Sequence, residues 1–326
     1  MERKGSTIAF FLAVIARSVL LAEEAGQSNL LTDFVYLQRW TSQNATIAFD
    51  TSRCRGRCTG EVALDVNDLT REFEYEPGIH AAVSYIQDDK SLYEAGLLYV
   101  WDWEATKTRK SGTNSLVFPF EDNTFSQDFF QIPEMQAYYR SQCYTAELNY
   151  WRTFSTSRTS LLALSGVGGF RFASLQEKFS VTAFSSNNFG QYTIKTANDL
   201  IGAQLGFLFQ INALQGLHWD LLGKAGVGLN RIGIKSFLGD QSNTIQLRNL
   251  SKQSFQTNIF AEGRAGVGYR FIPSLDIHGG YQALYLCGLA LAPNQINTSS
   301  SSIGLRVKKN GYIVLCGFYV GMDYSF

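Results

Sequence analysis

The chain has 326 residues, and its 28 Lys plus Arg residues balance its 28 Asp plus Glu residues. A neutral chain lacks the basic surface that nucleic-acid binding requires, so no nucleic-acid partner is expected. Aromatic residues make up 14% of the chain and charged residues only 17%, against about 25% charged residues in typical soluble domains. With a mean hydropathy near zero, this composition excludes a bundle of transmembrane helices. It leaves two fold classes, a membrane β-barrel and a soluble secreted β-sandwich.

Residues 1–22 have the pattern of a secretory signal peptide. Arg3 and Lys4 precede an apolar run over 8–16, and the small residues Ala22 and Ala25 follow, near which we place the cleavage site. A membrane anchor is the alternative, but an anchor needs about 20 apolar residues, and Arg17 interrupts this run. The sequence therefore predicts export, with residues 30–326 forming one domain.

The five cysteines fit an exported chain, because disulfides persist in oxidising compartments. Cys54 and Cys58 lie in a polar stretch and are a possible disulfide that closes a small loop. A zinc site is the alternative, but no histidine or second cysteine pair lies nearby in the sequence, so we predict no metal. The odd number leaves at least one thiol free or paired with another chain.

Ten segments alternate between apolar and polar residues with a period of two, which is typical of strands whose two faces meet different surroundings. They are 34–42, 78–87, 92–105, 136–153, 160–174, 198–210, 216–231, 255–271, 275–287 and 312–326. Aromatic residues lie near the ends of the apolar faces, as in the interfacial girdles of transmembrane barrels. Each segment has at least the length, about 9–11 residues, that a strand needs to cross a bilayer.

Short and long connections alternate along these segments. The segments 88–91, 155–159, 213–216 and 272–274 are short, and the segments 43–77, 106–135, 175–197, 232–254 and 288–311 are long. Bacterial outer-membrane barrels combine short periplasmic turns with longer extracellular loops. We therefore predict an all-β, antiparallel up-and-down transmembrane barrel. Strand-like patterns at 46–50 with 61–66, and at 179–184 with 192–196, either extend the barrel above the membrane or raise the count to 12–14 strands.

The last strand carries the clearest alternation. Every second residue from Tyr312 to Phe326 is apolar or aromatic, and the residues between them are small or polar toward the end. A final strand that ends on Phe326 resembles the signal by which the barrel assembly machinery of the outer membrane recognises its substrates. We therefore expect two partners, outer-membrane lipid and that machinery. The oligomeric state stays open.

Several segments resemble the β-barrel porin-7 family, which is abundant in planctomycetes and related bacteria. The pore-forming outer-membrane family first named in Legionella is similar in the same places. The segments are 146–149, 169–172, 175–179, 196–206, 223–230, 279–284 and 288–295. The resemblance covers residues 136–326 and implies a porin-like barrel in the bacterial outer membrane. It carries over no catalytic residue.

If the apolar faces meet lipid, the opposite faces place charged residues in the lumen. The candidates are Glu94, Asp102, Glu147, Arg171, Asp220, Lys224, Glu262, Arg264 and Asp276. Two interpretations stay open. These residues either line an aqueous pore and set its ion preference, or pair with one another and fill a lumen that is narrow at ten strands.

The sequence gives no sign of an enzyme or of a bound cofactor. It contains three histidines, His80, His218 and His278. By the predicted topology, His80 lies near the outer rim and the other two near the periplasmic end. A catalytic serine, histidine and acid would therefore not converge at one rim, and we predict no catalytic residues.

The long segment 106–135 contains five phenylalanines, of which Phe118, Phe125 and Phe129 are three. They either bind a partner or pack onto the barrel mouth. We favour packing, because large exposed apolar patches are uncommon without a partner.

Taken together, the sequence predicts a porin-like outer-membrane barrel for passive diffusion of small polar solutes or ions, or for envelope structure. The alternative is a closed barrel that presents its loops for adhesion or surface recognition.

Overall fold

Strands account for most of the computed structural model, which describes residues 28–41, 45–52, 60–120, 127–154, 161–185, 189–214, 216–240, 246–298 and 306–326. The first six strands are β1 (Ser28–Trp40), β2 (Thr46–Asp50), β3 (Glu61–Asp65), β4 (Glu76–Asp88), β5 (Ser91–Lys110) and β6 (Leu116–Val117). The others are β7 (Glu134–Thr153), β8 (Leu162–Phe184), β9 (Phe189–Leu214), β10 (Leu217–Asp240), β11 (Gln246–Ile272), β12 (Leu275–Leu289) and β13 (Gly311–Ser325). Helix α1 spans Val66–Thr70, and 3₁₀ turns span Gln127–Phe129 and Ala292–Gln295.

Ten of these strands form one closed antiparallel barrel in the order β1-β13-β12-β11-β10-β9-β8-β7-β5-β4. The barrel closes because β1 pairs with β13 on one side and with β4 on the other. Neighbours in the barrel follow one another in the chain, except that β2 and β3 leave the wall between β1 and β4, and β6 leaves it between β5 and β7. In the described part of the chain this confirms the predicted up-and-down barrel of ten strands and excludes the sandwich. The predicted signal peptide at 1–22 and the possible Cys54–Cys58 disulfide concern residues outside the described ranges.

A belt of large apolar side chains covers the outside of the barrel. On β9 and β10, Ile201, Leu205 and Leu229 are 61%, 74% and 59% exposed. On β13 the predicted alternation is confirmed, because Phe318 and Val320 are exposed while Leu315 is buried. A continuous apolar belt of this size is unfavourable in water and fits a lipid environment. Within the described ranges, none of the helices has the length and apolar character needed to cross a membrane.

The Leu205→Arg variant tests whether this belt meets lipid. Leu205 lies midway along the apolar outer face of β9, so an arginine there is expected to cost about 2–4 kcal/mol of unfolding free energy in a bilayer. Thr193→Arg is the control, because Thr193 shares the same strand and face but lies 12 residues farther toward the outer end. Urea unfolding in lipid vesicles measures both variants. Equal costs for the two variants would contradict a lipid-facing belt.

Strands β8 to β11 are much longer than the sequence predicted. They have 23, 26, 24 and 27 residues, although crossing a bilayer takes about 9–11. The segments 175–197 and 232–254, predicted as long loops, are mostly strand, and the connections shrink to residues 185–188 and 241–245. The pattern at 179–184 and 192–196 therefore extends the barrel beyond the membrane. The strands continue because cross-strand pairing runs unbroken to Phe184 and Phe189.

The connections at this outer end fold into a small second layer. The predicted hairpin at 46–50 and 61–66 belongs to a separate three-stranded sheet of order β3-β2-β6. Helix α1 begins with a capping box in which Asp65 and Asp68 each accept a hydrogen bond from the other's backbone amide. Its Val66 and Leu69 are fully buried. We call this layer, which comprises the described residues of 45–75 and 111–133, the cap.

Three cysteines of the described residues are free thiols, namely Cys143, Cys287 and Cys316. Cys143 is buried inside the barrel. Cys287 and Cys316 lie on the neighbouring strands β12 and β13, where Cys316 faces Ala283 and Cys287 faces Tyr312. Their positions fit the role of small packing residues.

Candidate functional site

Eight of the nine charged residues that the sequence placed in the lumen lie on the inner face of the barrel. They are Glu94, Glu147, Arg171, Asp220, Lys224, Glu262, Arg264 and Asp276. Their contacts join strands that are not neighbours in the barrel. Arg171 on β8 pairs with Glu262 on β11, and Glu147 on β7 pairs with Lys224 on β10. Such pairs form only across the interior.

Asp102 is the exception and does not face the lumen. A β-bulge adds one residue to β5 between Val100 and Trp103, opposite Cys143 and Ser141 of β7. One extra residue reverses the alternation of faces, so Trp103 is buried inside while Asp102 points outward. Asp102 forms an ion pair with Arg140, which lies on the outer face of β7.

A central network of four charged side chains spans the lumen. Arg171 bonds Glu147 and Glu262, and the Lys224 ammonium lies 2.8 Å from Glu147 Oε2 and 3.7 Å from Glu262 Oε2. The side chains of Arg171 and Lys224 are 1% and 7% exposed, and those of the carboxylates are 11% and 13% exposed. Two cations and two anions thus balance at a level from which water is largely excluded. Neutral pairing of this kind is what buried charges require.

Amide side chains extend this network toward β5. Gln204 Nε2 donates to Glu147 Oε2 at 2.8 Å and to Asn149 Oδ1 at 2.7 Å. Asn149 Nδ2 in turn donates to Glu94 Oε1 at 2.9 Å. The inward charges therefore bind one another, which agrees with the second interpretation of the sequence, a lumen filled by paired charges.

A second cluster centres on Asp33 of β1. Asp33 lies six residues before Arg39, toward the end of the barrel that carries the short turns. Its carboxylate contacts His80 Nδ1 at 2.9 Å, Arg264 Nη2 at 2.8 Å and His278 Nε2 at 2.6 Å. The prediction that His80 and His278 lie at opposite ends is wrong. The stagger of a closed barrel places them at one level, because His80 pairs with Asp33, Asp33 with Gly321 and Gly321 with His278.

Glycines make room for this cluster. On the same row, Gly268 separates His218 from His278, and Gly321 separates His278 from Asp33. A Cβ atom at Gly268 would lie 2.3 Å from His218 Nε2, and one at Gly321 would lie 2.2 Å from Asp33 Oδ1. His218 contacts Asp220 and Asp276 at 3.4 and 3.7 Å. On this row, β11 and β13 therefore lack a side chain where their neighbours β10, β12 and β1 carry a polar one.

Above the central network, Glu177 forms a fully buried cluster. Its Oε1 accepts hydrogen bonds from Arg39 Nη2 and from the Tyr139 hydroxyl, at 2.5 and 2.7 Å. Its Oε2 accepts a bond of 2.7 Å from the backbone amide of Ala292. The Arg39 and Glu177 side chains are both 0% exposed. One carboxylate thus joins the barrel wall to the connection between β12 and β13.

That connection enters the barrel mouth over residues 289–295, which we call the inserted segment. Asn198 binds the backbone amide and carbonyl of Ala290 at 2.8 and 3.1 Å, and Asn230 donates to the Gly288 carbonyl at 2.9 Å. Gly288 has a φ of +72°, a conformation that glycine adopts without strain. Residues 289–292 are all 0% exposed, so the segment lies inside the lumen.

The cap closes the remaining space with apolar side chains. Phe118 and Phe129 are each 1% exposed and pack edge-on against each other, and Phe118 also packs edge-on against Tyr192 of β9. Phe73 packs on Tyr139 at 5.1 Å between ring centroids. The structure confirms that Phe118 and Phe129 of segment 106–135 pack onto the mouth, while Phe125 lies outside the described residues.

The outer surface of the cap carries a polar depression. Thr51, Ser52, Thr113, Asn114, Ser115 and Gln131 line it. Asn114 and Gln131 have φ angles of 50° and 54°, a left-handed conformation that is uncommon for residues other than glycine. Ser115 holds the wall by donating to Asp50 Oδ1 at 2.5 Å.

Sequence reasoning missed Asp33, Arg39 and Glu177. The pattern did contain a signal for the first two, because Asp33 and Arg39 share the inward face of β1 with Val35 and Leu37. Glu177 fell in a segment predicted to be a loop. Its role depends on Ala292, which is 115 residues away in the chain.

The fold resembles those of solved outer-membrane barrels. The outer-membrane protease OmpT from Escherichia coli is 10% identical, with a TM-score of 0.50 over 92% of this chain and 97% of that one. A major outer-membrane protein from Thermus thermophilus is 9% identical, with a TM-score of 0.34 over 92% of this chain and 100% of that one. OprG from Pseudomonas aeruginosa is 10% identical, with a TM-score of 0.29 over 93% and 96%.

The likeness to OmpT shows that this chain has the fold of an outer-membrane β-barrel, which agrees with the predicted location in the bacterial outer membrane. Proteolytic activity belongs to the E. coli protein, and no enzymatic activity is established for this chain. No protein-family model matches the sequence, and no curated protein matches it.

Proposed function

We propose that this chain is a closed, non-conducting barrel of the bacterial outer membrane that holds a folded cap at the cell surface. The cap would serve adhesion or recognition, which is the alternative that the sequence left open. The observation that carries the proposal is the filled lumen. The Asp33 cluster, the central network, the inserted segment and the cap occupy it one above another.

Passive diffusion is the competing function. It requires a continuous water-filled path, whereas the groups that would line such a path bind one another here. Opening a path would separate the buried Arg39 from Glu177 and expose residues 289–292. Exposing the apolar side chains of residues 289–292 to water costs free energy, so an open state would be sparsely populated.

The polar depression on the cap supports recognition as the purpose of the closed barrel. Left-handed backbone at residues other than glycine costs about 1–3 kcal/mol and concentrates at functional sites. Both described residues of this kind, Asn114 and Gln131, line the depression. We place the contact with a partner there. The proposal assigns no catalytic residue and no cofactor, and membership of the porin-7 family remains a prediction.

Single-channel recording in planar bilayers tests the proposal. The refolded full-length protein is expected to give no uniform conductance steps, because no continuous water path crosses the lumen. Insertion is verified by heat-modifiable gel migration of protein recovered from the bilayer lipid, and an open porin recorded in the same lipid is the positive control. Uniform steps whose ion selectivity changes in Glu262→Lys or Arg264→Glu would overturn the proposal and establish a pore.

A further inference from the structure

Three lysines form a row across the outside of the barrel. Lys178 on β8 pairs in register with Lys195 on β9, and Lys195 pairs with Lys235 on β10. All three point outward, because their chain neighbours Glu177, Ile194 and Ile234 are buried inside. Adjacent strands lie about 4.8 Å apart, so three positive charges stand side by side. We call Lys178, Lys195 and Lys235 the lysine row.

The side chains around the lysine row do not neutralise it. The outward residues two positions away along the same strands are uncharged, namely Gln176, Ser180, Thr193, Ala197, Gly233 and Phe237. Along these three strands the nearest acid on this face is Asp199, which faces Arg231 and accepts a bond from Ser174. Like charges directly opposite each other destabilise a sheet. The ammonium of Lys178 lies 5.7 Å from the centroid of the Tyr138 ring, but repulsion among the three cations still lowers stability unless an anion binds them.

Cations on the other side of the same extension are arranged differently. Lys107 pairs with Glu72 at 2.7 Å, and Lys110 pairs with Glu134 at 3.0 Å. Arg140, which continues the row on β7, pairs with Asp102 and Glu104. Carboxylates thus accompany the cations there, and the positive charge of the lysine row is a local feature of β8, β9 and β10.

The height of the row relative to the apolar belt suggests what the anion is. On each of the three strands the belt begins six residues below the lysine, at Phe172, Ile201 and Leu229. Six residues span about 20 Å of strand, or about 14 Å along the membrane normal at a tilt of about 45°. Long lysine side chains extend their ammonium groups toward an interface. The row therefore lies at the outer edge of the headgroup layer.

We propose that the lysine row binds the phosphorylated sugar headgroup of a glycolipid in the outer leaflet. Phosphate oxygens between adjacent ammonium groups would relieve their repulsion. The neighbouring Gln176, Gln253 and Thr193 offer hydrogen-bond partners to the sugars. The proposal goes beyond the closed-barrel function, since it concerns the outer wall and would hold for an open or a closed lumen.

Thermal unfolding with added lipid A tests this site. Full-length protein in dodecyl maltoside micelles is titrated with diphosphorylated lipid A, and the unfolding midpoint is read from heat-modifiable gel migration. A ligand that binds only the folded state raises the midpoint. We expect the combined Lys178→Gln, Lys195→Gln and Lys235→Gln variant to weaken the apparent affinity about 10- to 100-fold.

The matched control carries Lys107→Gln, Arg109→Gln and Lys110→Gln, which remove three cations from the other side of the extension. It should keep the wild-type affinity. Heat-modifiable migration without lipid shows that each variant is folded before titration. Equal affinities of the lysine-row variant and the wild type would overturn the proposal. So would equal stabilisation by dephosphorylated lipid A, or by inorganic phosphate at the same concentration, because headgroup phosphate on a lipid would then not be what is recognised.

Discussion

The Arg171→Ala variant is expected to lose about 3–5 kcal/mol of unfolding free energy, because it leaves two buried carboxylates short of a partner. Arg171 bonds both Glu147 and Glu262, and its side chain is 1% exposed. After the substitution, Lys224 alone would face both carboxylates. Urea unfolding in lipid vesicles, followed by heat-modifiable gel migration, measures the difference.

Two further variants serve as controls for this result. Arg140→Ala removes an outward arginine whose side chain is 30% exposed, and surface pairs contribute only about 0–1 kcal/mol. Replacing Arg171 and Glu262 together by leucine leaves the Glu147–Lys224 pair balanced, and it should recover most of the loss. A cost for Arg171→Ala no larger than that of Arg140→Ala would mean that water reaches the carboxylates. That outcome would contradict a closed lumen.

The Glu177→Ala variant is expected to release the inserted segment as well as to destabilise the barrel. It would leave Arg39 buried without a counter-ion and the Ala292 amide without an acceptor, at a cost of about 3–5 kcal/mol. Hydrogen exchange of the peptide covering residues 289–296 should become at least tenfold faster, because local opening controls exchange. Mass spectrometry of the exchanged protein measures that rate.

The conservative variant Glu177→Gln separates charge from hydrogen bonding. Its amide oxygen can still accept from Ala292, so exchange in the inserted segment should stay nearer to wild type than in Glu177→Ala. Glu104→Ala, on the outer face, is the control for loss of a carboxylate. Unchanged exchange in Glu177→Ala would show that Asn198 and Asn230 hold the segment without Glu177.

The strands and their faces could be predicted from the sequence because period-two alternation reports local surroundings. Ten strands, the short turns and the inward position of eight charged residues follow from that pattern alone. Asp102 was wrongly predicted to face the lumen, because a single bulged residue reverses the two faces of β5 beyond it. Strands β8 to β11 were predicted too short. Above the membrane their outer faces become polar, so the alternation of apolar and polar residues that marks a lipid-facing strand is lost.

The closed lumen could not be predicted, because it depends on contacts between distant parts of the chain. The ion pair of Arg39 and Glu177 joins residues 138 positions apart, and Asp33 meets His278 across 245 positions. Charge composition is the same whether such residues pair or line a pore. The register of the closed barrel decides between these outcomes, and it emerges only when all ten strands are in place.

The pairing of β1 with β13 has a consequence for how the molecule acquires its structure. Backbone bonds join Ser28 to Phe326 in both directions, so the seam unites segments almost 300 positions apart. Contacts of such separation form slowly, since the intervening chain must first lose its freedom. Until the seam forms, β1 and β13 are open edges able to pair with other chains. We therefore expect the yield of native protein to depend on how well these two edges are protected during assembly.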